Sequence, residues 1–155
     1  MRMLLIPLLA FGTLHAAPQP IFNGKDLDGW KVDGADYWKA KEGILTGESD
    51  DQKKNSILWT EKEYSDFAIE GEFRFEGHVD SGFFLRNFDD QIQIGISGSL
   101  KRDMTGSPYI ASKGNYPVEA EGVPTLLKEG EWNHMKITAR GGAAAQFLIC
   151  KSVSS

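Results

Sequence analysis

Acidic, amide and guanidinium side chains recur at alternate positions in the stretch from Asp66 to Ile96. In β-strands, a two-residue period places such groups on one face and the apolar residues between them on the other. We expect three neighbouring strands to pool these polar groups on one surface. The groups are Glu70, Glu72, Arg74, Arg86, Gln91 and Gln93. Planar Arg and Gln groups beside carboxylates suit hydrogen bonding to sugar hydroxyls or carbonyls.

A structural alternative explains the same alternation. An antiparallel sheet with one solvated face has this pattern without any function. Cross-strand Glu and Arg pairs are also ordinary sheet stabilisers, worth a few tenths to about 1 kcal/mol each. The residue types favour a site, because a merely solvated face more often carries Lys, Thr and Ser than Arg, Gln and an aromatic such as Phe84. For each candidate the structural role stays open.

Two tyrosines extend the candidate surface. They lie in the irregular stretch from Leu100 to Gly130, which Gly and Pro residues interrupt repeatedly. An irregular segment of this length inside a compact domain is usually functional or mobile, so it is a candidate lid over a substrate. Tyr109 and Tyr116 are its candidates for stacking on a sugar ring, with simple packing as the alternative.

The sequence predicts no metal or cofactor site. Four acids lack the spacing of a calcium loop and are interpreted as solvated turn residues: Asp80, Asp89, Asp90 and Asp103. His78 and His134 are far apart and show no metal-ligand pattern. Cys150 is the chain's one cysteine, so no disulfide within the chain is possible, and an incidental thiol is favoured over a nucleophile.

The elements that must position these side chains are predicted to be strands. Apolar residues make up 41% of the chain, which also has 17 glycines and 9 phenylalanines, as is typical of a globular β-rich domain. Residues 37–41 and 43–46 predict a short hairpin around Glu42-Gly43. Residues 56–60 predict a strand, 61–65 a turn or a single helical turn, and 131–140 another strand. After Arg140 the pattern predicts one strand at most, over Gln146 to Cys150.

Residues 1–16 predict a signal peptide. Arg2 supplies the positive start, Met3 to Phe11 is an apolar run too short for a stable membrane helix, and Ala16 precedes a plausible cleavage point. No cysteine lies near the junction, so a lipoprotein anchor is not expected. We therefore expect residues 17–155 to form one exported domain, periplasmic or extracellular, without a membrane anchor.

The charge balance excludes some partners. The net charge is −5, and loss of Arg2 with the leader makes it one unit more negative. Nucleic acids and anionic membrane surfaces both require clustered cations, so neither is an expected partner. Neutral sugars remain compatible with this charge.

Five segments together resemble the 3-keto-disaccharide hydrolase domain family. They are FNGKDLDGWK, WKAKEGILTG, ILWTEKEYSDFAIEGEFR, SGFFLRNFDDQIQIGISGSLKRDMTGSPY and GEWNHMKITARG. The resemblance covers about Ile21 to Arg140, in the family's order and spacing. It implies a concanavalin A-like jelly-roll β-sandwich, two curved antiparallel sheets with a concave polar face, in exported bacterial proteins. After Arg140 the family normally has about three more strands, of which at most one has a counterpart here, so the domain resembles one that is incomplete after about residue 140.

The resemblance also implies a reaction. Members of the family are implicated in cleaving glycosides whose C3 hydroxyl has become a ketone, by proton abstraction next to the ketone and loss of the C1 substituent. By position in the family's motifs, Glu72 is the candidate base and Arg86 the candidate partner of the oxyanion or a hydroxyl. Many members carry Glu at the place of Gln91, and glutamine cannot act as a base. The candidate substrate-binding residues are Glu70, Arg74, Phe84, Gln91, Gln93 and Tyr109.

Two alternatives to this hydrolase or lyase stay open. The first is a non-catalytic carbohydrate-binding module on the same fold, since a fold does not determine a function. The second is an inactive, truncated chain, because a sandwich without some of its strands leaves backbone groups unpaired. The sequence determines neither the sugar and its linkage nor the oligomeric state.

Overall fold

The computed structural model describes residues 2–12, 17–141 and 145–152, and for residues 5–12, 124–125 and 145–152 it describes the backbone alone. These residues form twelve strands and two short helices. The strands are β1 (Arg2–Gly12), β2 (Gln19–Pro20), β3 (Trp30–Gly34), β4 (Trp38–Lys41), β5 (Ile44–Glu48), β6 (Ser56–Tyr64), β7 (Phe67–Glu76), β8 (Asp80–Phe84), β9 (Asp90–Gly95), β10 (Pro108–Ile110), β11 (Asn133–Ala139) and β12 (Ala145–Ser152). A 3-10 helix spans Ala111–Lys113, and helix α1 spans Val123–Leu126.

The strands form two antiparallel six-stranded sheets. Sheet A has the order β11-β7-β1-β5-β4, with β2 also paired to β1, and sheet B has the order β10-β9-β8-β12-β6-β3. One hydrophobic core contains residues of both sheets, among them Phe73 and Leu45 of sheet A and Phe83 and Leu58 of sheet B. The fold is therefore a β-sandwich, as the sequence predicts.

The alternation in β7 determines which of its side chains enter the core. Phe67, Ile69, Phe73 and Phe75 are buried, whereas the residues between them are half-buried or exposed. In β8 the same rule buries Ser81 and Phe83 between the sheets. The sequence prediction of inward and outward faces is confirmed for both strands.

The prediction that these strands are neighbours on one surface is wrong. β7 pairs with β1 and β11 in sheet A, while β8 and β9 pair with each other in sheet B. Residues 77–79 join β7 to β8 and carry the chain from one sheet to the other. Periodicity identifies the outward face of each strand, but it does not say to which sheet a strand belongs.

One row of paired residues crosses the whole of sheet B. Its members, from β3 to β10, are Lys31, Trp59, Leu148, Phe84, Gln91 and Tyr109. Directly paired residues of an antiparallel sheet have side chains on the same face. Trp59 and Phe84 pack together outside the main core, so the described side chains of this row lie on the outer face of sheet B.

Other local predictions have mixed outcomes. The hairpin at Glu42-Gly43 is confirmed as the β4–β5 turn, where both residues have positive φ angles, 53° and 79°. β6 continues through Tyr64, so the prediction of a turn at residues 61–65 is wrong. Beyond Arg140, one strand, β12, lies between β6 and β8, in line with the single strand that the sequence predicts there.

The predicted leader contributes a strand to sheet A. Residues 2–12 form β1 between β5 and β7, with Met3 and Leu4 buried. The register with β7 shifts between Ile6 and Leu9, around Pro7, which has no N–H to donate to a ladder. The predicted cleavage point falls at residues 13–16, outside the described residues. In the part of the chain that is described, no helix has both the length and the apolar character to cross a membrane.

Candidate functional site

A cavity of about 210 Å³ opens on the outer face of sheet B, where β8, β9 and β10 meet the loop that follows β9. Its walls combine one carboxylate, two amides, two phenols and two hydroxyls. The lining residues are Asp80, Gln91, Gln93, Ser97, Gly98, Ser99, Tyr109 and Tyr116. Ligand pockets are usually about 300–1,000 Å³, so this cavity suits a single small polar ring.

A directed chain of hydrogen bonds ends on the carboxylate. The Gln91 Nε2 group donates to the Ser81 carbonyl oxygen at 3.1 Å and to Gln93 Oε1 at 3.0 Å. Gln93 Nε2 in turn donates to Asp80 Oδ1 at 2.7 Å. The two glutamines are almost completely buried. Since an ionised carboxylate only accepts hydrogen bonds, the chain orients Asp80 as an acceptor.

Gly82 leaves space for the hydrogen-bonded amides of Gln91 and Gln93. Gly82 pairs with Gln93 across the β8–β9 ladder, and a Cβ atom on Gly82 would collide with the Gln91 amide and with the Ile92 carbonyl oxygen. A glycine in a strand interior often marks such a close approach. The amide chain therefore depends on the absence of a side chain at this position.

Two tyrosines close the cavity on the side of β10. The Tyr109 and Tyr116 ring centroids are 4.9 Å apart, with the ring planes tilted by 48°. Burial raises the pKa of the Tyr116 phenol; a hydrogen bond with Ser97 opposes this, and the charges of Asp80 and Tyr109 add to the increase. Tyr116 therefore stays protonated at neutral pH and is available as a donor.

The loop after β9 is held firmly against the sheet. Gln93 N–H donates to the Ser107 carbonyl oxygen at 2.9 Å, and Gly106 N–H donates to the Gln93 carbonyl oxygen at 2.9 Å. Thr105 Oγ1 accepts from Gly95 N–H at 2.8 Å. The stretch expected to be a lid is thus tied to β9 through backbone bonds at its start, and its two tyrosines line the cavity.

Asp80 also borders a second, larger cavity of about 660 Å³ at the end of the sandwich. Charged and polar side chains dominate its lining, among them Glu48, Lys53, Glu76 and His78. Asp80 therefore lies where the two cavities adjoin.

Four of the eight site residues predicted from sequence lie on this face. Gln91, Gln93 and Tyr109 line the smaller cavity together, and Phe84 is buried beside Gln91 in the same row. The Gln91 amide donates to Gln93, and the Gln93 amide donates to Asp80. Their geometry therefore indicates that they orient the carboxylate, in addition to lining the cavity.

Glu70 lies on the outer face of sheet A, on the other side of the sandwich. Glu70 Oε1 is 3.0 Å from His134 Nε2 and Glu70 Oε2 is 3.5 Å from Lys136 Nζ, both on the neighbouring strand β11. The hydrogen bond with His134, followed by the charge of Lys136, lowers the pKa of the Glu70 carboxyl. Glu70 therefore has the cross-strand pairing that the structural alternative predicts.

Glu72 and Arg74 lie on the same outer face of sheet A as Glu70. Glu72 is exposed and is paired through its backbone with His134. The Arg74 guanidinium carbon lies 5.2 Å from the Trp132 ring centroid, a cation–π distance. The structure separates these side chains from Gln91 and Gln93 because they belong to different sheets.

Arg86 follows the end of β8 and lies near the turn between β6 and β7. Its Nη2 atom is 3.9 Å from Asp66 Oδ1, and its side chain is mostly buried. The residues that line the cavity of Gln91 and Gln93 do not include Arg86. The prediction that Arg86 shares one surface with all the other candidates is therefore wrong.

Asp80 is the site residue that sequence reasoning missed. The prediction of a solvated turn acid is wrong, because Asp80 is the first residue of β8 and is half-buried. Its alternation with Gly82 and Phe84 was a usable signal, since it places all three on the face that carries Gln91 and Gln93. Among the described residues, no group of three or more His, Cys, Asp or Glu side chains has the geometry to hold a metal ion.

The family model described as 3-keto-alpha-glucoside-1,2-lyase-like domain matches residues 17–148. No curated protein and no solved structure matches the chain.

Proposed function

The chain belongs to the 3-keto-alpha-glucoside-1,2-lyase-like domain family, and we propose that it cleaves glycosides whose C3 hydroxyl has been oxidised to a ketone. The family supports glycoside processing in general and suggests a carbohydrate substrate. The particular reaction and the residues assigned to it below are our proposal. The observation that carries it is the orientation of Asp80 at the tyrosine-lined cavity.

The chemistry requires three groups. A base removes the proton on C2, which the neighbouring ketone acidifies, and the electrons of the C2–H bond form an enolate whose negative charge lies on the C3 oxygen. The enolate then expels the C1 substituent, which takes a proton as it leaves. Addition of water to the resulting enone completes a hydrolysis. The enzyme therefore needs a base, a donor for the enolate oxygen and a proton for the leaving group.

Asp80 is the base in this proposal. Among the described residues that line the smaller cavity, it has the one carboxylate. Ordinary glycosidases use two carboxyl groups at a fixed separation across the scissile bond. A cavity with one carboxylate fits an elimination better than that mechanism. The Gln91–Gln93 chain fixes the carboxylate, which reduces the reorganisation needed for proton transfer.

The two tyrosines are the donors. Tyr116 keeps its proton at neutral pH, because the ordinary pKa of a tyrosine phenol is 10.0 and burial raises the pKa of Tyr116 further. Its phenol can therefore donate a hydrogen bond to the enolate oxygen or to the departing group. The ring of Tyr109, 4.9 Å from that of Tyr116, is positioned to contact the sugar ring. Both are adjacent to Asp80 around the same cavity.

A pair of matched carboxylate variants tests the assignment. We expect Asp80→Asn to lower kcat for 4-nitrophenyl 3-ketoglucoside by about 10²–10⁴-fold, the usual contribution of a general base. Glu72→Gln, on the outer face of sheet A, should leave kcat within about twofold, because surface changes away from a site have small effects. Release of 4-nitrophenol is the measurement, and a substrate deuterated at C2 should react more slowly with the wild type.

The opposite pattern would overturn the proposal. If Glu72→Gln lost most of its kcat while Asp80→Asn kept it, the base would have to be assigned to sheet A. Turnover without any isotope effect would argue against rate-limiting proton abstraction at C2.

The two glutamines in the cavity favour one second candidate, a carbohydrate-binding module, because amides bind hydroxyls but do not transfer protons. Equal binding of oxidised and unoxidised glucosides by the wild type without turnover would support that candidate.

A further inference from the structure

Three aromatic side chains form a continuous cluster on the outer face of sheet B. The ring centroids of Trp59 and Phe88 are 5.0 Å apart at an interplanar angle of 87°, and those of Phe84 and Phe88 are 5.6 Å apart at 70°. Phe88 is 51% exposed, although it is a large apolar side chain. In a perpendicular pair one ring presents only its edge, so the contact leaves that ring's faces uncovered.

The cluster adjoins the proposed catalytic cavity. Trp59, Phe84 and Gln91 belong to the row of paired residues that crosses sheet B, and Tyr109 ends that row. Neighbouring strands are about 4.8 Å apart. Phe84 is thus one strand from Gln91, and Trp59 is about 14 Å from Gln91, three strands away.

The loop that carries Phe88 is fixed at both ends. Asn87 Oδ1 accepts hydrogen bonds from the N–H groups of Asp89 and Asp90 at 2.7 and 3.3 Å, which forms a tight turn. The Asp89 carboxylate accepts from Ser112 N–H at 2.5 Å and from Ser112 Oγ at 2.8 Å. These bonds connect the turn to the 3-10 helix that follows β10. Phe88 is therefore exposed on a turn that hydrogen bonds hold in place.

We propose that Trp59, Phe84 and Phe88 form a subsite for an apolar, planar aglycone, the group that leaves C1. This inference rests on the proposed function, which places the sugar ring at Asp80. Asp80 precedes Phe84 by four residues on β8, about 13 Å along the strand. A glycoside whose sugar lies between Asp80 and Gln91 therefore directs its aglycone towards this aromatic surface. The larger cavity on the other side of Asp80 is lined mainly by charged and polar groups, so it is unsuited to an apolar group.

The surroundings of the cluster limit the ligand's size and charge. A hollow of about 470 Å³ borders Trp59 and is also lined by Lys31, Asp33 and Glu61. These charged side chains form a polar border beyond the aromatic rings. A neutral aryl group fits the apolar part, whereas an anionic aglycone would meet two carboxylates at its far end.

Two substrates and two matched variants test the subsite. The substrates are phenyl 3-ketoglucoside and methyl 3-ketoglucoside, which differ only in the aglycone. We expect Phe88→Ala to raise KM for the phenyl compound by about fivefold to tenfold, the size of an aromatic contact. KM for the methyl compound should stay within about twofold, because a methyl group does not reach Phe88. Leu126→Ala, which removes another exposed apolar side chain, should alter neither KM.

Binding measurements separate this inference from the proposed function. Calorimetric titration with unoxidised phenyl and methyl glucosides reports the aglycone contact without any turnover. Loss of the preference for the phenyl compound in Phe88→Ala supports the subsite, even if Asp80→Asn proves fully active and the base must be reassigned. An equal effect of Phe88→Ala on both glucosides, or no preference for phenyl in the wild type, would overturn the subsite and leave the role of Asp80 unaffected.

Discussion

At the scale of single residues, the same side-chain types have different roles on the two outer faces. On sheet B, the Gln91 and Gln93 amides are buried; Gln91 donates to Gln93, and Gln93 donates to Asp80. On sheet A, Glu70 is engaged with His134 and Lys136 on the next strand. The first arrangement orients a carboxylate beside a cavity, whereas the second neutralises a carboxylate on a solvated surface. This difference supports our proposal that the site lies on sheet B.

Glu70 is expected to make the stability of the folded state depend on pH. Its pKa is lowered below the ordinary value of 4.5 by His134 and Lys136. A carboxyl with a lowered pKa stabilises the folded state above its unfolded pKa, and this contribution is lost as the pH falls through the lower, folded value. We expect Glu70→Gln to reduce the melting temperature slightly at pH 7, since the pair is partly solvated. The wild type and the variant should converge as the pH falls below 4.5.

Thermal unfolding followed by circular dichroism between pH 3 and pH 7 is the measurement. Glu72→Gln on the same strand is the control, because Glu72 has no ion pair among the described side chains. A constant difference between wild type and Glu70→Gln over this pH range would show that the ion pairs are not its source.

At the scale of elements, β1 is both an internal strand of sheet A and part of the predicted leader. It pairs with β7 over most of its length and with β5 over Arg2 to Leu5. Burial on both faces, as at Met3 and Leu4, is typical of an internal strand. The sequence pattern of the same residues predicts a leader, and we propose on that basis that the chain is exported. A leader acts while it is unpaired, before the sheet forms around it. These residues therefore cannot act as a leader and as an internal strand of sheet A at the same time.

A truncated chain tests the contribution of β1. We expect residues 17–155 to melt at a lower temperature and less cooperatively than residues 1–155, because removal of β1 leaves edges on β5 and β7 and uncovers apolar side chains. Differential scanning calorimetry of the two purified chains is the measurement. Equal melting temperatures would show that sheet A does not depend on β1, as export with cleavage requires. Mass spectrometry of the exported protein would give the N-terminus directly.

At the scale of the whole molecule, both outer faces depend on one core. Phe83 of β8 is 1% exposed and lies in the cluster that joins the two sheets, while Phe84, the next residue, belongs to the aromatic cluster on the outer face of sheet B. A change in the core should therefore affect the cavity on sheet B and the ion pairs on sheet A together. Small single domains usually unfold in this all-or-none way.

Two Phe→Ala variants test this coupling. Phe83→Ala should lower the free energy of unfolding by about 3–5 kcal/mol, the usual cost of removing a buried phenylalanine ring. Phe88→Ala, at an exposed position, should cost far less. Urea unfolding followed by tryptophan fluorescence and by far-ultraviolet circular dichroism is the measurement. Separate transitions for the two probes would show that unfolding is not all-or-none and would contradict the coupling.

The sequence by itself determined the class of fold, the family and the inward and outward faces of individual strands. It did so because side-chain alternation and turn residues act locally: the Phe residues of β7 and the Glu42-Gly43 turn are as predicted. It also identified Gln91, Gln93 and Tyr109 as candidates. Only the tertiary structure decided that Glu72 and Arg74 lie on the other sheet, and that Asp80 is the carboxylate beside the glutamines. The reason is that the assignment of strands to sheets depends on long-range pairing across the core, which a two-residue period does not encode.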